Sequence, residues 1–439
     1  VWAPCLTIQE AITKAVIGDE IRVAAGQYTA SGSDAVVVIR KALSLHGGFT
    51  TSNWLRPNPA DNMTVIDGEN ARRGVYVWTS EDGAPVQISG FEIVNGQSVG
   101  SPTDDYGGGI RNINAVLTLD NCILHSNSAG SDRGGGIASG AQLPGGNRAV
   151  LHMRNVSVHD NEARDAPGIY VSDGGIIIEH SRIYANEAQR IGAVALNGQN
   201  AVVRNSLFYD NTTARFGAGL YVEAGTVAIQ NVTFYGNNAD SFGAGLSVYS
   251  GTVAVSNTLF VNNTAGSDGA ISYSGGTLTI DYTDFFGNTG DDLLNANAWG
   301  SDCYKRDPQL VDPSNDDFRL SSTSLAKDSG AALLQVTEDV DGWGRPFGSG
   351  WDRGAYEYTP EAGCYTRIAG GQVYTGVHEA LDAVPVGGTV LVAGRCADGT
   401  VSINEGLTLR GGYTATDWVD PVYGPTVLDA EGTGRVIDV

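Results

Sequence analysis

Basic side chains are scarce in this chain: 26 Lys and Arg stand against 49 Asp and Glu, a formal net charge of −23. Nucleic acids and anionic membranes need a basic footprint, so the composition argues against either as a partner. Cysteine is sparse as well. The five residues (Cys5, Cys122, Cys303, Cys364, Cys396) contain no CxxC pair, which excludes zinc-ribbon and thioredoxin-like patterns. Their odd number leaves at least one thiol unpaired within the chain. Cys364 and Cys396 are candidates to pair across a strand-turn unit, with the connectivity open, and Cys5 or Cys364 are candidates to tie adjacent modules together. Six histidines show no metal-ligand spacing. No apolar run approaches the roughly 20 residues of a membrane-spanning helix, so no membrane insertion is expected in this segment. The chain opens at Val1 with neither Met nor an apolar leader, so any signal peptide is expected to be removed or to lie outside it. Sixty glycines without a three-residue period exclude collagen and point to many tight turns.

What is present is a repeat. The phrase "FYGNNADSFGAGLSV" (Phe234 to Val248) has close copies in "FYDNTTARFGAGLYV" and "FVNNTAGSDGAISYS". Aligned on aromatic-x-x-Asn, seven units end at Asn127, Asn161, Asn186, Asn211, Asn237, Asn263 and Asn288. After a first interval of 34, which carries the extra "GAQLPGGNR" loop, the intervals are 25, 25, 26, 26 and 25 residues. Within a unit apolar residues alternate with period two (Val227, Ile229, then Val232, Phe234, later Leu246, Val248), the pattern of half-buried strands. Three short strands in about 25 residues cannot bury their own apolar face, but stacked units can, each strand pairing with its copy about 4.8 Å away. The spacing therefore predicts an all-β, right-handed parallel β-helix, a solenoid that resembles the fold of pectate lyases. The final Asn of each unit is expected at a sharp left-handed corner, its amide joined up and down the tube in a ladder. Asn121, Asn155, Asn205, Asn231 and Asn257 form a partial second ladder, broken by His180 and Tyr282.

The "GGGI", "GAGL" and "GAI" motifs paired with aromatic-x-x-Asn resemble the repeats of chlamydial polymorphic outer-membrane proteins and related bacterial surface β-helices. "DPQLVDPSNDDFRLSSTSLAKDSGA", followed by "DVDGWGRPFGSGWDRGAYEY", is similar to the closing segment of secreted bacterial β-helix proteins of choice-of-anchor architecture. Together these cover roughly residues 87 to 358. The resemblance implies secretion and an extracellular or cell-surface location, and no particular activity.

A longer repeat lies above the short one. "GGFTTSNW" (Gly47 to Trp54) returns as "GGYTATDW" (Gly411 to Trp418), 418 − 54 = 364 residues on. The expected organisation is a complete module over 1–358 (cap 1–30, rungs 31–300, closing segment 301–358), a linker at 359–363, and the beginning of a second module over 364–439. Each module opens with a short amphipathic helix (Ile8, Ala11, Ile12, Ala15; Val377, Ala380, Leu381, Val384) expected to cap an open tube end. A second module that starts and then stops suggests modules or subunits joined head to tail in a longer fibre.

Candidate chemistry is thin. The best patch for a lyase or glycosidase is Asp160, Arg182 and Asp210 beside His159, with the two carboxylates two rungs apart, roughly 9.6 Å by strand spacing. No "GHG" or "RIK" segment of the polygalacturonases is present, and the acid pairs Asp104-Asp105, Asp291-Asp292 and Asp316-Asp317 lie in separate loops. "DVDGWGR" invites a structural calcium through Asp339 and Asp341 but lacks the acidic loop of an EF-hand; the plainer expectation pairs Arg345 with Asp352 or Glu357. No other cofactor is implied. One feature stands out: the outward position after each inward apolar residue is His125, His159, Tyr184, Tyr209, Tyr235, Val261 and Phe286. Stacked, these make an aromatic stripe, either a sheet-stabilising column or a contact surface for glycans or protein. The sequence thus reads as a non-enzymatic extracellular structural or adhesive β-helix, part of a modular stalk or fibre, with glycans or copies of itself as partners. The alternative is a carbohydrate-active enzyme or glycan-binding module using the exterior groove.

Overall fold

In the computed structural model, each period-two apolar run becomes a strand that pairs not with its chain neighbour but with its copy one coil away. The structure describes residues 4–79, 83–98, 106–140, 149–290, 292, 299–359, 364–369, 373–374, 376–396, 400–403, 406–413, 426–428 and 437–438. The extra loop at 141–148, the acid pair at 104–105, Asp291, most of the expected linker and most of residues 414–439 lie outside the described residues.

Two units are distinguished, the first comprising Val1–Pro308 with Ser329–Ala331 and Arg353–Ala355. Its coils present three faces. On the first, Val116–Asp120 pairs in parallel with Pro85–Ser89 on one side and Val150–Arg154 on the other. On the second, Ile123–His125 lies between Glu92–Val94 and Ser157–His159. On the third, Ile137–Gly140 lies between Ile110–Ile113 and Ile169–Ser172. The register is unbroken where Thr226–Gln230 meets Thr252–Ser256 and these meet Thr277–Asp281. The sequence pattern did not foresee a fourth strip at the corner between second and third faces: Glu162–Asp165, Glu187–Ile191, Thr212–Thr213, Asn238–Phe242 and Thr264–Ser267, also parallel.

Strict copying of inward positions turns the interior into columns. Phe208, Phe234, Phe260 and Phe285 stack at centroid distances of 5.0, 4.8 and 5.4 Å, and Trp299 extends the pile at 5.1 Å. All four Phe are fully buried, each contributing roughly 1.5–3 kcal/mol by removal from water. Beneath Phe234 the chain leaves room only for glycine, whereas the equivalent slots one coil before and two coils on hold Ala193 and Ala270. A Cβ on Gly219 would lie 2.6 Å from the Gly245 carbonyl oxygen and 3.0 Å from Phe234, closer than packing allows.

The helix Ile8–Lys14 starts where Thr7 Oγ1 accepts the Glu10 N–H, and it buries Ile8 and Ile12 at the head of the stack. The second unit comprises Gln309–Asp328, Ala332–Asp352 and Tyr356–Val439. It too carries a short helix, Val377–Ala383, which buries Val377 and Ala380, and a parallel pair, Thr389–Cys396 with Thr408–Tyr413. Cys364 and Cys396 are joined in a disulfide. Cys364 is therefore not available to tie adjacent modules, and the sequence-based option of such a link through it is withdrawn. No helix among the described residues is long and apolar enough to cross a membrane.

Candidate functional site

The asparagine ladder is complete. Each amide N–H donates to the Oδ1 of the next coil, from Asn127 through Asn161, Asn186, Asn211, Asn237 and Asn263 to Asn288, at 2.9–3.0 Å. The same Oδ1 accepts the backbone N–H of the previous ladder residue, and the second amide hydrogen goes to an interior carbonyl, as from Asn211 to Ile183 at 2.9 Å. One expectation needs correcting. None of these Asn is left-handed. The positive φ sits one residue earlier, at Ser126, Asp160, Ala185, Asp210, Gly236, Asn262 and Gly287, and at the leading corner formed by Asn121, Asn155, His180, Asn205, Asn231, Asn257 and Tyr282. The corner residue absorbs the reversal, so the following side chain can point inward; that is why the corner tolerates Ala or Ser, whereas the ladder position holds Asn in all seven units.

The outward aromatic column stacks ring on ring. His125 faces His159 at 4.9 Å, His159 faces Tyr184 at 4.6 Å and Tyr184 faces Tyr209 at 4.7 Å, with interplanar angles of 5–11°. It is less open than an exposed stripe. Tyr209 is 6% and Val261 3% exposed, Tyr184 and Tyr235 are half-buried, and Phe286 reaches 39%. His125 is further held by Glu92 at 2.7 Å. Close by, residues 329–331 and 353–355 lie on the second face: Ala331 N–H donates to Asn257 Oδ1, Gly354 N–H to the Asn257 carbonyl and Ala355 N–H to Thr233 Oγ1. The buried Arg353 pairs with the buried Asp284 at 2.7 Å, and Arg306 supports the same carboxylate at 2.9 Å.

The acid–base candidates occupy separate columns. Asp160 and Asp210 both sit at the left-handed corner, two coils apart with Ala185 between them. Asp160 bonds His159 Nδ1 at 2.7 Å. Arg182 stands at the head of its strand beside Ser157 and Leu207, three residues and roughly 10 Å along the strand from the corner. In the second unit, Arg345 Nη1 meets Glu357 Oε2 at 2.7 Å and the Asp352 carbonyl at 3.2 Å. Asp339 commits both oxygens to the N–H groups of Asp341, Trp343 and Glu357, which leaves that carboxylate engaged internally. Among the described residues no three His, Cys, Asp or Glu gather as a metal site requires.

Sequence reasoning missed a groove beside the corner strip. Asp165, fully buried, is gripped by Arg190 through two contacts of 2.9 and 3.2 Å, by Arg164 at 3.3 Å and by Arg133 at 3.5 Å. Arg133 also bonds the Tyr170 hydroxyl and lies 4.8 Å over its ring, and Tyr170 stacks on Tyr106. Next to them is a cavity of about 280 Å³ lined by Arg133, Arg190, Ile191, Arg215, Phe216, Tyr221 and Glu223. Burial raises the phenol pKa of both Tyr170 and Tyr221, so both rings present neutral hydroxyls. The available signal was an arginine three or four residues after the ladder Asn in successive units: Arg164, Arg190, Arg215.

Residues 73–285 match the protein-family model described as "Right handed beta helix region". That match and the coil-to-coil parallel pairing define an all-β, right-handed parallel β-helix. Among solved structures the chain is similar to one titled "Crystal structure of pectate lyase Pel9A", at 15% identity over 80% of this chain and 91% of that one, with a TM-score of 0.41. At that score the likeness carries no argument about activity. No curated protein matches the chain.

Proposed function

We propose that this protein is a non-enzymatic, extracellular or cell-surface β-helix that acts as a rigid structural or adhesive element of a modular stalk, with glycans or further copies as partners. The observation that carries the reading is the way the coils use their side chains. Asp160 is bonded to its neighbour His159, Asp284 is locked by two arginines, and Asp165 is held beneath three. A glycosidase or lyase instead needs carboxylates aimed at a common point. The disulfide Cys364–Cys396 suits an oxidising compartment, and the recurrence of a module opening within one chain suits a modular stalk.

The test is incubation of the full chain with a panel of neutral and uronate-containing polysaccharides, scored for new reducing ends and unsaturated products. No product is expected. Turnover that Asp160→Asn or Asp210→Asn abolishes would overturn the reading in favour of a carbohydrate-active enzyme.

A further inference from the structure

In a chain of net charge −23, the cavity beside the corner strip reverses the sign: three guanidinium groups, Arg133, Arg190 and Arg215, line it against one carboxylate, Glu223. Asp165 lies beneath with both oxygens already engaged. The arginines are brought together by coil register. Glu187 and Ala188 pair with Thr212 and Thr213, and Ile191 bridges to Phe216, so Arg190 and Arg215 are counterparts on neighbouring coils, about 4.8 Å apart along the stack. Like charges directly opposite one another on a sheet repel. Asp165 relieves Arg190, whereas Arg215 is exposed and has no ion-pair partner among the described residues. An anion bound between the two would remove that repulsion.

The second half of the site is aromatic. Phe216 stacks on Phe242 at 5.9 Å, and Phe242 is 40% exposed. On the adjoining third face the outward column reads Ala138, Tyr170, Ala195, Tyr221. Each tyrosine therefore lies over a small neighbour: Tyr170 is buried under Arg133 and Tyr106, whereas Tyr221 is half-buried and lines the cavity. A ligand matching both halves carries a negative charge on a ring with an apolar face. Acidic sugars have that form: C–H faces that stack on aromatic rings, and carboxylate or sulfate groups that accept the two-pronged hydrogen bonding of a guanidinium. An acidic peptide supplies the charge without the ring. Because screening limits the reach of distant charges to about 10 Å at 0.1 M salt, the local arginines rather than the net charge govern an anion inside the groove.

We propose that this groove binds an anionic glycan, with Arg215 and Arg190 taking the charged group and Tyr221 and Phe216 forming the platform for the sugar ring. This site is independent of the aromatic column on the second face.

The experiment is calorimetric titration of the full chain at about 0.1 M salt with oligogalacturonate, dextran sulfate, neutral dextran and polyglutamate. Binding of oligogalacturonate or dextran sulfate, with neutral dextran and polyglutamate much weaker, is the expected result, and the first two arms distinguish a carboxylated from a sulfated ligand. Arg215→Ala should weaken the bound glycan by roughly tenfold or more, the size of a lost charge-assisted hydrogen bond, and Arg215→Lys by less. Arg56→Ala removes an exposed arginine elsewhere and should change nothing. The proposal is overturned if neither anionic glycan binds, if polyglutamate or neutral dextran binds equally well, or if Arg215→Ala binds as the parent does. Cleavage of a bound glycan would refute the non-enzymatic reading and leave the site standing, whereas absence of binding without cleavage refutes the site alone.

Discussion

Two columns run along the same strands only two positions apart, and they obey different rules. The inward column from Asn127 to Asn288 is Asn in all seven units, whereas the outward column accepts His, Tyr, Val and Phe. Inside, the polar group has no water to turn to. Each Asn amide meets its partners at 2.8–3.3 Å and each is at most 1% exposed through Asn263, so a substitution leaves several donors and acceptors orphaned at once. Outside, the requirement is only a flat or compact side chain that stacks at the coil spacing, which many residues meet. Repetition in sequence therefore has two meanings: identity enforced by hydrogen bonding within, and shape tolerated without.

The sharpest way to break the comparison is Asn211→Ala. It removes the bonds to Ile183 and Asn237 and those received from Asn186, and should cost about 3 kcal/mol, since each orphaned group costs roughly 1–3. Chemical denaturation reads this directly; a loss well under 1 kcal/mol would mean that water or repacking satisfies the column. Tyr184→Ser, on the outer column, should cost less, about 1 kcal/mol from its two ring contacts, and Tyr184→Val should recover part of it because Val already serves at 261.

A weaker effect contrasts the neutral ladder with the buried acids of the second unit. Burial pushes the Asp339 carboxyl up to about 7, with Arg345 opposing, and Asp352 also rises to about 7. A carboxyl raised above its unfolded value of 3.8 contributes stability below about pH 4, and that contribution is lost as pH rises through about 7. Resistance of the second unit to proteolysis, or its Trp343 and Trp351 fluorescence midpoint, should fall over that window. Asp339→Asn should flatten the slope, and an unchanged slope would remove Asp339 as its source. The smallest effect is chemical rather than thermodynamic. Burial pushes the inward Cys122 thiol up to about 12, so a thiolate-specific alkylating reagent at about pH 8 should label Cys5 and spare Cys122 until the coils unfold.

Much of this was legible in the sequence because a stacked coil projects its own period onto the chain. The Asn spacing, the alternating apolar pairs and the Gly-x-Gly turn each mark a position where one coil touches the next. The left-handed corners were misplaced by one residue, since the eye follows the invariant Asn and not the variable Ser, Asp, Ala or Gly before it. The arginine groove left only a partial mark, the arginines of three successive units, for another reason. Its tyrosines, Tyr170 and Tyr221, stand two coils apart with Ala195 between them, and its arginines come from a strip that precedes their face in the chain. Neither set recurs in every unit, so neither shows as a repeat.

By itself, then, the sequence determined the coil: its length, its inward residues, its ladder and its parallel stacking, because each of these is a contact between equivalent positions. Only the tertiary structure decided what becomes of the outside. Ala331 reaches Asn257 across 74 residues, and Ala355 reaches Thr233 across 122, and these contacts obey no period. Which outward positions are covered and which are left open to a ligand depends on where such distant segments come to rest, and contacts between non-equivalent positions leave no regular mark in the chain.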